Sequence, residues 1–320
     1  IIMKPIIPIF FHIPKCAGTF VLGCMHSLFR QYYRNRLEID EKQDNRQLQK
    51  LKVIIPNHGM LTIFAFTPKN VYENAEITTK IDNHSSELSI FKLFSLIKTS
   101  EIEIFSIVIE PDFYWGDIKN LIDLRPSFDA AYALCDVANS NYKCFGTLRS
   151  PFQRVLSAFA YLCEDSSSHE PNHKKILCDS LRGYIMSDQL EDSWVIRSLS
   201  GKPYSENLDK TDFDYVIEFL KDFNFTLNAE DSINDVFKKS YNITLKDCEF
   251  IIANYNKNLD KQNIKLSDLD KKTQIAFKEF EKVNEIKADK FVVAGGVAAN
   301  SNIRKMLINL CKENGVMPIF

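Results

Sequence analysis

The chain contains no CxxC pair: its eight cysteines, out of 320 residues, are scattered from Cys16 to Cys311. Their spacing therefore offers neither a zinc signature nor a disulfide framework, and reduced thiols are the expectation. A strong charge of either sign is also missing. The net charge is −2, so no global basic field points to nucleic acid, and any anion site must be local. No apolar run reaches the roughly 20 residues that span a bilayer. The N-terminal run Ile1 to Phe11 is short, is interrupted by Lys4, Pro5 and Pro8, and lacks a following small-residue cleavage site. It reads as a β-strand rather than a signal peptide. The hydrolase loop GxxxxGKS/T is absent too.

Hydrophobic residues make up 45% and charged residues 26%, which is ordinary for a folded α/β protein. The length suits one large domain, or a domain plus an appendage. The most informative stretch is Phe10-Phe11-His12-Ile13-Pro14-Lys15-Cys16-Ala17-Gly18-Thr19-Phe20. A buried strand, Ile6 to Phe11, breaks at Pro14 into a short loop with Lys15, Gly18 and Thr19. A helix then begins, with Val21, Leu22, Met25, Leu28 and Phe29 on one face. Strand, small-residue loop and helix N-terminus together make an anion site. Backbone N–H groups and the helix dipole point at the anion, and the lysine adds a full charge.

A second motif starts at Cys144. Tyr142 to Leu148 reads as a strand that delivers Arg149 to a turn, and Pro151 fits the first turn of the next helix. Arg154 and Ser157 follow at helical spacing. Arg149 and Ser157 can converge on one phosphate, a task that suits the forked guanidinium.

These residues carry a resemblance. HIPKCAGTF resembles the 5′-phosphosulfate loop of the sulfotransferases, close to the HIPKTAGTS form of the carbohydrate (heparan 2-O-sulfotransferase-like) branch, with Cys16 where that family usually has Thr. LRSPFQRVLSAF is similar to the family's 3′-phosphate motif, usually LRDPVERxLSxF, with Ser150 in place of Asp. Residues 190–202 resemble its NLQTRxLSG segment through Arg197, Ser200 and Gly201. Phe223 to Leu227 stands where the family has a strand of FDFVG type. The resemblance spans roughly residues 6–250. It implies a P-loop-like three-layer α/β fold, a central parallel sheet flanked by helices, over residues 1–262. It implies transfer of a sulfuryl group from 3′-phosphoadenosine 5′-phosphosulfate (PAPS) to a hydroxyl, on a carbohydrate acceptor, with no metal. The cofactor residues implied are Lys15, Ala17, Gly18, Thr19, Phe20, Arg149, Ser157 and Arg197. Lys15 is also catalytic, on the bridging oxygen. Relatives in animal secretory pathways carry a membrane anchor; none is visible in this chain, which favours the cytoplasm.

A general base must take the acceptor's proton. His58 follows the short buried strand Leu51 to Pro56, at a strand end where open α/β sheets bind ligands, and it leads His84 and His12 for that role. A capping or core-edge histidine is the competing reading of His58. His169 and His173 have helical spacing, but Pro171 lies between them and no third ligand follows, so no metal is expected. The basic cluster Arg30, Arg34 and Arg36 reads as a solvated helix end, and residues 37–50 as a loop or exposed helix. Ile102 to Ile109 reads as a strand, Ser89 to Lys98 as a short helix, and Asp112 to Trp115 as an aromatic cluster. Helices are expected over Phe213 to Leu220 and Asp231 to Lys239.

From about residue 264 the character changes. A charged helix (Asp268 to Lys287), a strand (Lys290 to Ala294) and Gly295-Gly296-Val297-Ala298-Ala299-Asn300 leading into a closing helix again suggest a nucleotide cradle. FVVAGGVAANSNIRKML resembles the C-terminal nucleotide-binding segment of the tRNA threonylcarbamoyl-adenosine transferase family, an actin-like ATPase. That family's phosphate loop and HxxxH are absent. Residues 263–320 therefore read as an inactive fused fragment, or else as an appended module; Asn256 to Leu266 is the expected boundary. Two other functions stay open: a P-loop-type nucleotide kinase, and a non-catalytic accessory protein of tRNA threonylcarbamoylation.

Overall fold

A computed structural model of the protein describes residues 4–39, 46–68, 86–87, 90–99, 101–111, 123–163, 181–185, 194–203, 205–248, 267, 269–275, 290–292 and 317–319. His84, Asp112 to Trp115, His169, His173, Asn256 to Leu266 and Gly295 to Asn300 lie outside these residues. The chain divides into two compact units, each discontinuous in sequence. The first comprises Ile1–Asp112, Ile122–Leu148 and Leu227–Ala253; the second comprises Phe113–Leu121, Arg149–Thr226 and Asn254–Phe320.

The first unit is built on a mixed sheet. Its strands are β1 (Ile6–Phe11), β2 (Arg46–Ile55), β3 (Gly59–Pro68), β4 (Ser86–Glu87), β5 (Glu103–Glu110) and β6 (Asn141–Thr147). They lie in the order β4-β2-β3-β5-β1-β6. β1 runs parallel to β5 and β6, and β2 parallel to β4, as expected of a parallel centre. β3 runs against both of its neighbours. The antiparallel strand has a local cause: Pro56, Asn57 and His58 form a tight turn that joins β2 to β3 as a hairpin. A two-ended hairpin cannot place its strands parallel.

Helices cover both faces of this sheet, which is why β1 and β5 read as almost continuous apolar runs. On one face lie α1 (Gly18–Ile39) and α8 (Ala229–Tyr241). Their Val21, Met25, Phe29, Ile233 and Phe237 bury against Phe10, Phe105, Val108 and Phe145. On the other face α3 (Arg125–Val137) sets Phe128 edge-on to Phe11, with ring centroids 5.2 Å apart. Successive residues Phe10 and Phe11 thus feed opposite cores, as the period of a strand requires. α2 (Ile90–Lys98) packs with α3 through its buried Leu93, Leu96 and Ile97.

Residues 37–50, expected as a loop or exposed helix, divide differently: α1 runs to Ile39 and β2 begins at Arg46. The polar stretch Arg46–Lys50 is drawn into strand form by its pairing with Phe64–Pro68, a tertiary effect that its own composition does not encode. Arg36, expected at a solvated helix end, is instead half-buried. It pairs with Glu103 and lies over the Tyr32 and Phe66 rings, at 5.6 and 5.9 Å.

The second unit holds α4 (Pro151–Cys163), α5 (Leu181–Ile185), α6 (Trp194–Ser200), α7 (Lys210–Leu220) and β7 (Asn224–Thr226). Lys202 bridges Asp209 and Asp212 at 2.9 and 2.8 Å, across the capping box that starts α7. β8 (Lys290–Val292) pairs in parallel with β9 (Met317–Ile319). Within the expected helix from Asp268, residues 271–275 are helical. Asp270 caps them by accepting from the N–H groups of Lys272 and Thr273.

Candidate anion site at the carboxyl edge of the sheet

β1 closes on a narrow turn at His12, where the N–H of Ile13 reaches the carbonyl of Phe11 at 3.1 Å. The loop that follows is strained. Lys15 and Ala17 both adopt left-handed backbone, with φ of 63° and 65°. Each costs on the order of 1–2 kcal/mol for a residue with a Cβ. Left-handed residues set beside right-handed ones turn successive N–H groups toward a common concavity, the geometry of a backbone anion nest. Cys16 between them is buried, its N–H bonded to Ile13 O at 3.2 Å and its carbonyl accepting from the Thr147 hydroxyl at the end of β6. The first helical bond of α1 runs from Val21 N–H to Ala17 O, at 3.0 Å. Gly18 and Thr19 thus open the helix, where N–H groups have no intrahelical acceptor. Thr19 is exposed, whereas the Phe20 ring is half-buried against the core beneath α1.

Gly18 does not have a left-handed φ; its necessity lies elsewhere. A Cβ at Gly18 would come 1.8 Å from His12 Nε2, so the imidazole occupies the space a side chain would need. Behind the ring, His12 Nδ1 meets Glu110 Oε1 at 3.2 Å, and the Thr62 hydroxyl donates to Glu110 Oε2 at 2.8 Å. Burial alone would raise the Glu110 carboxyl. The hydrogen bond and charge of His12, the Thr62 hydroxyl and the more distant Lys50 outweigh it and hold the group below the ordinary glutamate value. Glu110 is therefore an ionised acceptor, and Nδ1 of His12 carries a proton toward it.

His58 stands in the β2–β3 turn at the same edge. Met60 pairs with Glu110, so two strand spacings, about 10 Å, separate the start of β3 from the end of β1. The approach is close at Gly59, whose φ is 96° and whose Cβ would lie 2.6 Å from the Glu110 carbonyl oxygen. His58 Nδ1 is 2.9 Å from the Asp123 carbonyl oxygen, which can only accept. The Nδ1–H tautomer is thereby fixed and Nε2 becomes the basic nitrogen. The His58 carbonyl in turn accepts from Ser127 Oγ, which anchors the turn to α3. Asp123 is gripped by Arg125, Nε to Oδ1 at 2.8 Å and Nη2 to Oδ2 at 2.6 Å. Burial raises the Asp123 carboxyl, but this grip keeps it below its ordinary value.

The first unit thus gathers Lys15, Ala17, Gly18, Thr19, Phe20 and His58 at the edge formed by the carboxyl ends of β1, β5 and β6. Arg149, Ser157 and Arg197 belong to the second unit. There Ser150 starts α4, its Oγ accepting from the Gln153 N–H at 3.3 Å and its carbonyl from Arg154 N–H at 2.9 Å. Ser150 thus caps the helix, the role an Asp would have there. Arg154 and Ser157 lie three residues apart on one face of α4. Arg197 is buried in α6, and its NH1 donates to the carbonyls of Pro203 and Glu206, at 2.7 and 2.9 Å. Gly201 closes α6 with its N–H on Arg197 O at 2.8 Å.

Sequence reasoning missed Glu110, Thr62, Asp123 and Thr147. A faint signal existed for Glu110, the one acidic residue closing the apolar run Ile104 to Ile109 at its carboxyl end. Burial pushes the thiols of Cys24, Cys135 and Cys144 up to about 12, too high for a thiolate at neutral pH. No group of residues suited to holding a metal occurs among the described residues, and no described helix is long and apolar enough to cross a membrane.

Comparison with known proteins touches only a small part of the chain. A 50-residue stretch, 16% of this chain, is 62% identical to the tRNA N6-adenosine threonylcarbamoyltransferase of Pelagibacter ubique. The match spans 14% of that protein's length. It supports the expectation that the chain carries a fragment similar to that enzyme. No protein-family profile matches the chain, and no solved structure does.

Proposed function

We propose that the protein is a sulfotransferase that moves a sulfuryl group from PAPS to a hydroxyl, with a carbohydrate as acceptor. The observation that carries this reading is the strained loop of Lys15 to Gly18 between β1 and α1, a backbone nest at the carboxyl edge of an α/β sheet. The second motif follows the strand whose last residue, Thr147, hydrogen-bonds to that loop.

In this reading the N–H groups of Ala17, Gly18, Thr19 and Phe20, with the Thr19 hydroxyl, hold the 5′-phosphate. Arg149 and Ser157 take the 3′-phosphate, Arg154 braces their turn, and Arg197 is a further donor-binding residue. The acceptor oxygen forms a bond to sulfur in line with the bond that breaks, between sulfur and the bridging oxygen of the 5′-phosphate. The electron pair leaves on that oxygen, where Lys15 stabilises it, and the acceptor's proton passes to Nε2 of His58. Catalysis is then mostly positioning and charge stabilisation, as in phosphoryl transfer. Soluble chemistry in the cytoplasm fits this donor.

The test is transfer of labelled sulfate from PAPS to a panel of carbohydrate acceptors by the full chain. His58→Ala should lower turnover about 100-fold or more, in line with the loss of a general base, while donor binding stays unchanged. Near-normal turnover in that variant would move the base elsewhere, and failure of every acceptor would count against the reading. The 50-residue identity favours a second reading, an accessory role in tRNA threonylcarbamoylation, which predicts binding of ATP rather than of the 3′-phosphorylated nucleotide.

A further inference from the structure

We infer that His12, held by Glu110 and Thr62, is a second cationic group of the loop's anion site beside Lys15. The inference rests on the proposed donor site and adds to it a residue that positions the loop and charges it. Three observations carry it. Glu110 fixes the ring from behind, so the proton on Nδ1 is committed and Nε2 is the nitrogen that gains or loses one. Nε2 occupies the place of a Gly18 Cβ. The Cα–Cβ direction in a helix tilts toward its N-terminus, so Nε2 lies beside the mouth of α1, where the first N–H groups meet an anion.

Among the described residues, the charged groups facing this imidazole are Glu110 from β5 and, acting through Glu110, Lys50 from β2; Lys15 follows three residues on in the same loop. A phosphate bound at the mouth of α1 sets a negative charge beside Nε2. Binding of the anion therefore brings a proton onto Nε2, which then donates toward it.

The test is calorimetric titration of adenosine 3′,5′-bisphosphate into the full chain between pH 6 and 8.5, in buffers of different ionisation heat. The wild-type chain should lose about tenfold in affinity as pH rises, beyond any change due to the ligand's own phosphates, and should take up a proton on binding. His12→Gln should bind about tenfold more weakly at the acidic end and show neither the excess slope nor the proton uptake. The ligand's titration is common to both proteins and cancels in the comparison. Lys15→Ala should bind more weakly at every pH with the slope intact. Binding by His12→Gln with an unchanged slope and proton uptake would overturn the inference while leaving the donor site standing. No binding by any folded form, wild type included, would overturn both. Thermal unfolding of each variant separates lost folding from lost charge, and a purely structural role for His12 would shift that temperature without altering the pH slope.

Discussion

His12 and Gly18 define the site most sharply at the scale of single residues, because each explains the other. The ring fills the space over the glycine, so Gly18→Ala forces either the imidazole off Glu110 or α1 off its start. The expected cost is about 1–3 kcal/mol in denaturant unfolding. Most of it should return in the double variant with His12→Ala, where the obstacle is gone; two additive losses would show that the contact is not the cause. Glu110 gives a pH prediction. Its carboxyl is held below the ordinary value near 4.5, so its ionised form stabilises the fold. That contribution is fully present above the unfolded value and disappears as pH falls through the lower, folded one. The stability difference between wild type and Glu110→Gln should thus be full above about pH 5 and shrink steadily below about pH 4.5. A difference that grows toward low pH would have the wrong sign.

At the scale of elements, the starts and ends of helices and strands decide what the sequence could disclose. The segments β1, β5, β6, α1 and α7 were legible because their apolar spacing agrees with what the finished fold buries. β3 was not, although Leu61 to Phe66 is apolar. Its direction depends on the turn at His58, and its partner Arg46–Lys50 is polar and gains strand form only by pairing. α3 was hidden too: Pro126 sits in its first turn, and its start is fixed by the Asp123–Arg125 pair rather than by an evident cap. For the site, loop and motif were readable as residue types, whereas the Thr62–Glu110–His12 chain joins three strands and exists only through register. Ser150 shows how an element tolerates a departure from its pattern. Its hydroxyl caps α4, so Ser150→Ala should destabilise the helix start by about 1 kcal/mol and Ser150→Asp should not. Chemical unfolding of the two variants checks this, and equal losses would remove the cap from the account.

At the scale of the whole molecule, the two units and the 50-residue match bear on different questions. The units describe how the described residues pack, whereas the match describes the similarity of a small segment. The proposed function and the second reading differ over which nucleotide the chain binds. The proposed function assigns the 5′-phosphate of one adenosine to the loop after β1 and its 3′-phosphate to Arg149 and Ser157. The deciding measurement is the affinity of the full chain for adenosine 3′,5′-bisphosphate relative to ATP, repeated with Lys15→Ala and Arg149→Ala. The account predicts a preference for the bisphosphate of at least about tenfold, lost by tenfold or more in either variant. Preference for ATP, or bisphosphate binding that survives both substitutions, would contradict it.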